Sequence, residues 1–509
     1  MTSKKNLSIL FGAGAEVDLG MPTGGEFAIE VISSTRDLDI WNSIKEQIES
    51  VQNVLEEKGR EHGWEQYREW LFDVVDSKIT LTRPVKQELE TIFRSTIEEN
   101  QERIGKIISS IDERMLRLGF ADLDLENVQI QSLDIQLSND ILGHFARLND
   151  SKCLGKLIGY AVTHLDRKEE IETIWCLVRM FVEFAYAATG RDLVKRLGVM
   201  RFGNDKIGEK VGTNLTNIIN IDFGKLGMEA IEFSVKHPKS KLDADFTEKI
   251  SLFSAKLIRE VVTQVIDYQE IIEKYLPALY RPRAKGSAKF LKALMMINRM
   301  NATILEYYHE ATKSDLRNSY YHDLLNLFAE YTVTIASTNY TDLVCDIADI
   351  DSHKVIWLNG HVGQSLEPYQ NRLYDSKFLP EGLITAPYLI AQSVIKPMLT
   401  PESIVTYRDF GNALAKSDRI IVIGYGFGAV DSHVNSLVRN AILSDLGPAV
   451  TIFIHESELE SEKPSESEQR ARNLVLSRLR LFKDPGENLV VHVIGSNRNS
   501  SGKSWLEYI

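Results

Sequence analysis

The apolar positions of this chain change period twice. Leu7-Ser8-Ile9-Leu10-Phe11 is a short apolar run between polar residues and Gly12, the pattern of a buried strand opening an α/β sheet. From Gly25 to about Phe328 the spacing becomes three and four residues, with Glu and Lys between the apolar positions. Residues 41–58, 84–118, 171–188, 246–276 and 288–313 are therefore expected to be amphipathic helices. The charged stretch 98–103 reads as solvated helix surface, and 201–221, with Gly203, Gly208, Gly212 and several Asn, as an irregular connection.

Short apolar runs return at 332–336, 354–358, 419–423, 449–454 and 488–494, with helical patterns at 407–415 and 433–444 between them. This alternation predicts parallel strands with crossover helices. The run at residue 7 belongs with them, so the expected fold class is α/β: one Rossmann-like parallel sheet interrupted by a large, all-helical insertion. The expected division is 1–30 with 330–509 for the discontinuous sheet domain and 31–329 for the helical segment. Residues 456–469, rich in Glu, Ser and Lys, read as an exposed loop and helix start.

Composition narrows the function classes. The 509 residues, 43% hydrophobic and 26% charged, suit a globular chain of two to four domains. No run of eighteen apolar residues occurs, and the segment after Met1 is too short for a signal-peptide core, so no membrane association and a cytoplasmic location are expected. Cys153, Cys176 and Cys345 lie scattered in apolar sequence without a C-x-x-C pair, which favours small buried hydrophobes over disulfides or metal. A net charge of −13 disfavours direct nucleic-acid binding and leaves a small molecule or a protein as the expected partner.

Open parallel sheets bind ligands beyond the carboxyl ends of their strands, and four such ends carry unusual residues. Gly12 to Gly25 reads GAGAEVDLGMPTGG; the predicted strand-to-helix turn would bring backbone close to a ligand and aim N–H groups at an anion. Ser337-Thr338-Asn339-Tyr340-Thr341-Asp342 follows the second strand, Asn359-Gly360-His361-Val362-Gly363 the third, and Gly424 to Asp431 the fourth. Taken singly, Asn339 could cap a helix, His361 could sit in a turn and Gly424 to Gly428 could be a tight turn. Four together favour one ligand site.

The motifs GAGAEVDLGMPT (Gly12 to Thr23), STNYTDL (Ser337 to Leu343), NGHVG (Asn359 to Gly363) and IIVIGYGFGAVDSHVN (Ile420 to Asn435) resemble, in kind and order, those of the sirtuin-like family of bacterial antiphage defence proteins. The first and last are also similar to the abortive-infection H family. The resemblance covers about residues 5–30 and 330–500. It implies NAD as substrate with no metal, and hydrolysis to nicotinamide and ADP-ribose in an abortive-infection response. It further implies that Gly12, Ala13, Gly14 and Ala15 cradle the pyrophosphate, with Pro22, Thr23, Thr338 and Asp342 also binding NAD. Gly424, Tyr425 and Gly426, with Asp431, would hold the adenosine side, and Asn339 and His361 would be catalytic. Asn339 would orient the ribose or the attacking water, and neutral His361 would accept a proton.

This chain departs from the family pattern twice. The acidic residue that directly follows N-Y or N-I in the family is Thr341 here, with Asp342 one place later, and Glu16 stands beside the proposed cradle. Such a carboxylate would either compete with the pyrophosphate or face away from it as a helix cap. Deacetylation is disfavoured because the zinc-binding cysteines of the deacetylases are missing. The resemblance also implies gating by homo-oligomerisation, by a HerA-like ATPase or nucleotide-pyrophosphatase-like partner, or by a phage-derived signal. The alternative is a non-catalytic nucleotide-sensing or assembly subunit.

Overall fold

A computed structural model describes residues 4–22, 24–34, 36–58, 63–67, 69, 85–125, 127–130, 147–189, 228–236, 245–265, 286–313, 316–317, 319–390, 400–428, 431–444, 447–455, 464–495, 498–500 and 503–509. The expected connection at 201–221 lies outside these residues. Among the described residues no helix is long and apolar enough to cross a membrane.

Six strands form one parallel sheet: β1 Lys5–Phe11, β2 Tyr331–Ser337, β3 Val355–Trp357, β7 Arg419–Ile423, β8 Ala449–His455 and β9 Leu489–Ile494. Their order across the sheet is β3-β2-β1-β7-β8-β9. Two apolar layers explain why these runs read as continuous rather than alternating. Leu7, Ile9 and Phe11 of β1 pack on one face with Ile335, Ile421, Tyr321 and Trp505, while Leu10 packs on the other with Val422, Phe410 and Val438. A strand buried on both faces needs apolar side chains in both directions.

The chain builds outward from β1 to β2 and β3, then resumes on the other side of β1 with β7, β8 and β9. The order therefore reverses between β1 and β7, the point where Rossmann-like sheets open a crevice. Crossovers on the later strands carry the helices Leu343–Ala348, Pro401–Lys416, Ser432–Ile442 and Pro464–Arg478. The helix Pro401–Lys416 begins with a reciprocal cap in which Thr400 Oγ1 accepts from Ser403 N and Ser403 Oγ accepts from Thr400 N.

Between β3 and β7 the chain leaves the parallel sheet for a three-stranded antiparallel one, β5-β4-β6, made of β4 Gly360–Glu367, β5 Arg372–Asp375 and β6 Ala386–Leu389. The exit requires glycine: Gly360 has φ +73°, and a Cβ there would lie 2.1 Å from Tyr388 O. His361 is the next residue, so the turn that redirects the chain also delivers the imidazole.

The chain divides into two compact units. One comprises Met1–Gly24, Arg36–Thr82 and Leu276–Ile509 and contains both sheets. With the sheets go the helices Asp37–Lys58, Gly286–Ala311 and Tyr320–Leu327. There Arg299, fully buried, bonds Asp37. The other unit, Gly25–Thr35 and Arg83–Tyr275, is helical among its described residues. Its helices Gln101–Ser109, Lys168–Thr189 and Phe246–Val265 bury Ile104, Phe181 and Leu257 completely or nearly so, and Arg114 pairs with Glu260 at 3.1 Å. The apolar stripes of these helices are thus largely consumed by packing on one another.

Candidate functional site

The four polar strand ends expected from the sequence all lie at the carboxyl edge of the parallel sheet, and each is anchored to a neighbour. Thr338 N–H and its hydroxyl both donate to Phe11 O, at 3.0 and 3.2 Å, which ties the end of β2 to the end of β1. Asn359 Nδ2 donates to Thr338 O at 2.9 Å and ties the exit from β3 to β2. Val362 N–H donates to Tyr340 O at 2.8 Å.

The first glycine loop differs from its expected form. After β1 the chain makes two short 3-10 turns, Ala13–Ala15 and Val17–Leu19, and the helix Gly24–Ser33 starts only afterwards. The close approach that its glycines permit is to the second glycine loop. Gly12 N–H donates to Ile423 O at 2.9 Å and Gly14 N–H to Gly424 O at 2.8 Å. A Cβ on Gly12 would sit 2.6 Å from Gly424 O, and one on Gly14 2.8 Å from Gly424 Cα. The two loops interlock across the switch point between β1 and β7. Ala13 is exposed at the tip of this turn, Ala15 is buried, and Pro22 is half-buried beyond it; Thr23 lies outside the described residues.

In the second loop Gly424 takes φ +64° and Gly426 is exposed, with its carbonyl bonded by Arg478. Tyr425 turns inward. Its ring joins the core beside Phe427, and its hydroxyl donates to Asn435 Oδ1 at 3.0 Å. Burial drives the phenol well above the usual range. Asp431 is buried just before the helix Ser432–Ile442.

Asn339 and His361 are both buried, with 5% and 6% exposure. His361 Nδ1 lies 2.6 Å from Asp342 Oδ1 and 3.3 Å from Gly363 N. The shorter contact makes Nδ1 the protonated nitrogen, donating to the carboxylate, and leaves the Nε2 lone pair to accept a proton. The imidazole stacks on Trp357 at 4.5 Å between ring centroids. Gly363 makes room for it, since a Cβ there would be 2.7 Å from His361 Cε1.

Thr341 and Asp342 divide two tasks. Asp342 holds His361, while Thr341 is buried and its hydroxyl donates to Glu16 Oε1 at 2.7 Å. Glu16 stands between the two turns but its carboxylate makes no cap hydrogen bond; it is 3% exposed and also accepts from the Tyr321 hydroxyl at 2.7 Å. Burial outweighs these donors and pushes its carboxyl up to about 7. Asn339 Nδ2 in turn donates to Tyr321 Oη and to Gly12 O, both at 3.1 Å. Tyr321 and Trp357 carry no motif signal that would have marked them in advance; Glu16 stood out only as a misplaced charge.

A cavity of about 400 Å³ opens beside His361. Trp357, Tyr374, Tyr388, Tyr407 and Glu402 contribute to its wall, whereas the two glycine loops and Asn339 do not. His361 is therefore the one expected catalytic residue on this cavity; Asn339 sits with Glu16 and Tyr321 behind the first loop. The volume falls within the range of small-molecule sites.

Comparison with family models, with curated proteins and with solved structures finds no match to this chain.

Proposed function

We propose that the chain is an NAD hydrolase of the sirtuin-like type, acting as an effector of antiphage abortive infection. The observation that carries this reading is the His361–Asp342 dyad on a cavity at the carboxyl edge of a Rossmann-like parallel sheet. In the reaction the bond between C1′ and the nicotinamide nitrogen breaks and its electron pair leaves with nicotinamide. Water adds to the oxocarbenium-like C1′ and gives its proton to His361 Nε2, and ADP-ribose results. Asp342 keeps the ring in the tautomer that can accept that proton. Asn339 positions a sugar hydroxyl or the attacking water. In this reading the part of 31–329 that forms the separate helical unit, Arg83–Tyr275, serves assembly and restraint, through a homo-oligomer or a partner such as a HerA-like ATPase or a nucleotide-pyrophosphatase-like subunit.

A second reading, a non-catalytic nucleotide-sensing or assembly subunit, draws on one observation. The Gly12 and Gly14 N–H groups are spent on Ile423 and Gly424, so these two donors are not turned to a phosphate. Incubating the purified protein with NAD, alone and with the product of the neighbouring gene, and assaying nicotinamide separates the two. Release of nicotinamide supports hydrolysis; a folded protein that releases none in either setting supports the subunit.

A further inference from the structure

The buried polar group around Asn339 has a direction. Asn339 Nδ2 has two hydrogens, and both are engaged, one with Gly12 O and one with Tyr321 Oη. Tyr321 Oη can accept because its own hydrogen is given to Glu16 Oε1. Glu16 Oε1 receives Thr341 Oγ1 as well, so two donors converge on one oxygen. Every member is buried: Tyr321 is wholly inaccessible and Thr341 is 1% exposed. At the other end Asn339 Oδ1 is buried and has no hydrogen-bond partner among the described residues. Buried polar atoms left in this way call for an explanation, since each costs the full loss of its hydration.

We propose that Glu16 is a positioning residue for Asn339: through the Tyr321 hydroxyl it dictates the orientation of the amide and leaves Oδ1 as the acceptor for a hydroxyl of a bound sugar. The chemistry runs one way. A carboxylate oxygen accepts both donors, Tyr321 must then point its hydrogen away from Asn339, and the amide can meet Tyr321 only with its NH₂ side. Without an acceptor at residue 16 the Tyr321 hydrogen is released. It can then turn toward Asn339 and stabilise the flipped amide, which aims NH₂ where Oδ1 had been. The residue that looked like a rival for phosphate thus acts from behind the loop.

The sugar hydroxyl rests on the NAD reading, and the test keeps the two apart. A first arm needs no ligand: unfolding free energies are measured for Glu16→Met, Asn339→Ala and their double variant, each with and without Tyr321→Phe. Coupling between residues 16 and 339 that disappears with Tyr321→Phe supports the relay. Additive losses, or coupling that persists, overturn it. A second arm measures NAD cleavage. Glu16→Met and Tyr321→Phe should each lower kcat by about 10²-fold, with the double variant no slower, and Glu16→Gln, which keeps an acceptor oxygen, should restore most of the rate. Tyr67→Phe removes a buried hydroxyl that accepts from Ile384 N and should leave kcat unchanged. Full-rate cleavage by Glu16→Met refutes the positioning role and leaves the NAD reading standing. If the wild type cleaves no NAD with or without its neighbour, the NAD reading fails and the unfolding cycle alone decides the relay.

Discussion

Tyr321 gives its hydroxyl hydrogen to Glu16 across 305 residues of sequence, at 2.7 Å and out of reach of water. The contact joins the short helix before β2 to the loop after β1, and it places a carboxyl group in the interior beneath the candidate site. Its energetic consequence depends on pH.

Glu16 titrates at about 7 in the fold against 4.5 for an ordinary glutamate, chiefly because burial disfavours the charged form. A raised carboxyl binds more protons in the folded than in the unfolded chain, so stability is full below about 4.5 and falls as pH rises through about 7. The groups facing it are the Tyr321 and Thr341 hydroxyls, the Asn339 amide and the Asp342 carboxylate. The expected loss attributable to Glu16 is roughly 3 kcal/mol between about pH 5 and pH 8. Denaturant unfolding of the wild type and of Glu16→Gln across this range checks it. The wild type should lose stability relative to the variant as pH rises, and parallel curves would show that Glu16 does not titrate there.

The dyad gives the second prediction. On the proposed hydrolysis, His361→Ala should cost about 10²–10⁴ in NAD cleavage, as for the loss of a general base. Asp342→Asn should cost a comparable factor, because an amide can donate to Nδ1 and favour the wrong tautomer. Asn339→Ala should lower the rate by about 10²-fold or more. Purified variants with intact unfolding transitions and near-normal turnover would remove the corresponding residue from the mechanism.

The strands were legible because a parallel strand buried on both faces leaves an uninterrupted apolar run. The expected 419–423 coincides with β7, and the expected 332–336 lies within β2. The stripe read as one helix over 84–118 is three, Val85–Glu99, Gln101–Ser109 and Ile111–Arg117, since periodicity runs on through breaks at Asn100 and Ser110. The antiparallel sheet gave no signal: β4 spans eight residues, but it begins at a left-handed glycine and is only partly buried, so no clean alternation marks it. Nor could spacing say whether Gly12 and Gly14 make room for a ligand or for another loop, because glycine permits both. Thr341 looked like a one-residue slip of the family motif. In three dimensions it serves Glu16, whose partner Tyr321 no local pattern could reveal.

A third prediction concerns assembly, and it rests on the proposed gating. Most apolar side chains described in the helical unit are buried, but Val162 and Leu165, at the end of the helix Lys152–Thr163, are 45% and 71% exposed. If this surface takes part in oligomer or partner contacts, Val162→Glu with Leu165→Glu should lower the mass seen by light scattering, alone or with the neighbouring gene product, without shifting the unfolding midpoint. An unchanged mass in both settings would rule this surface out.

The interlocked glycine loops supply the last prediction. A side chain on Gly14 meets Gly424 Cα at 2.8 Å, and one on Gly424 meets Ala15 N at 2.2 Å while the backbone there holds φ +64°. Both obstacles are backbone, which cannot swing aside as a flexible side chain can. Gly14→Val and Gly424→Ala should therefore each destabilise the fold by about 1–3 kcal/mol or more, through overpacking and, at Gly424, left-handed strain. Gly426 belongs to the same loop but has room for a side chain: among the described residues a Cβ there would meet nothing nearer than Arg478 Nη1, at 3.9 Å. Gly426→Ala should stay within about 0.5 kcal/mol of the wild type. Urea unfolding of the three variants distinguishes the two uses of glycine. If Gly14→Val unfolds like the wild type and loses only nucleotide affinity by calorimetry, the space over Gly14 belongs to the ligand and the interlock is not what holds the switch point closed.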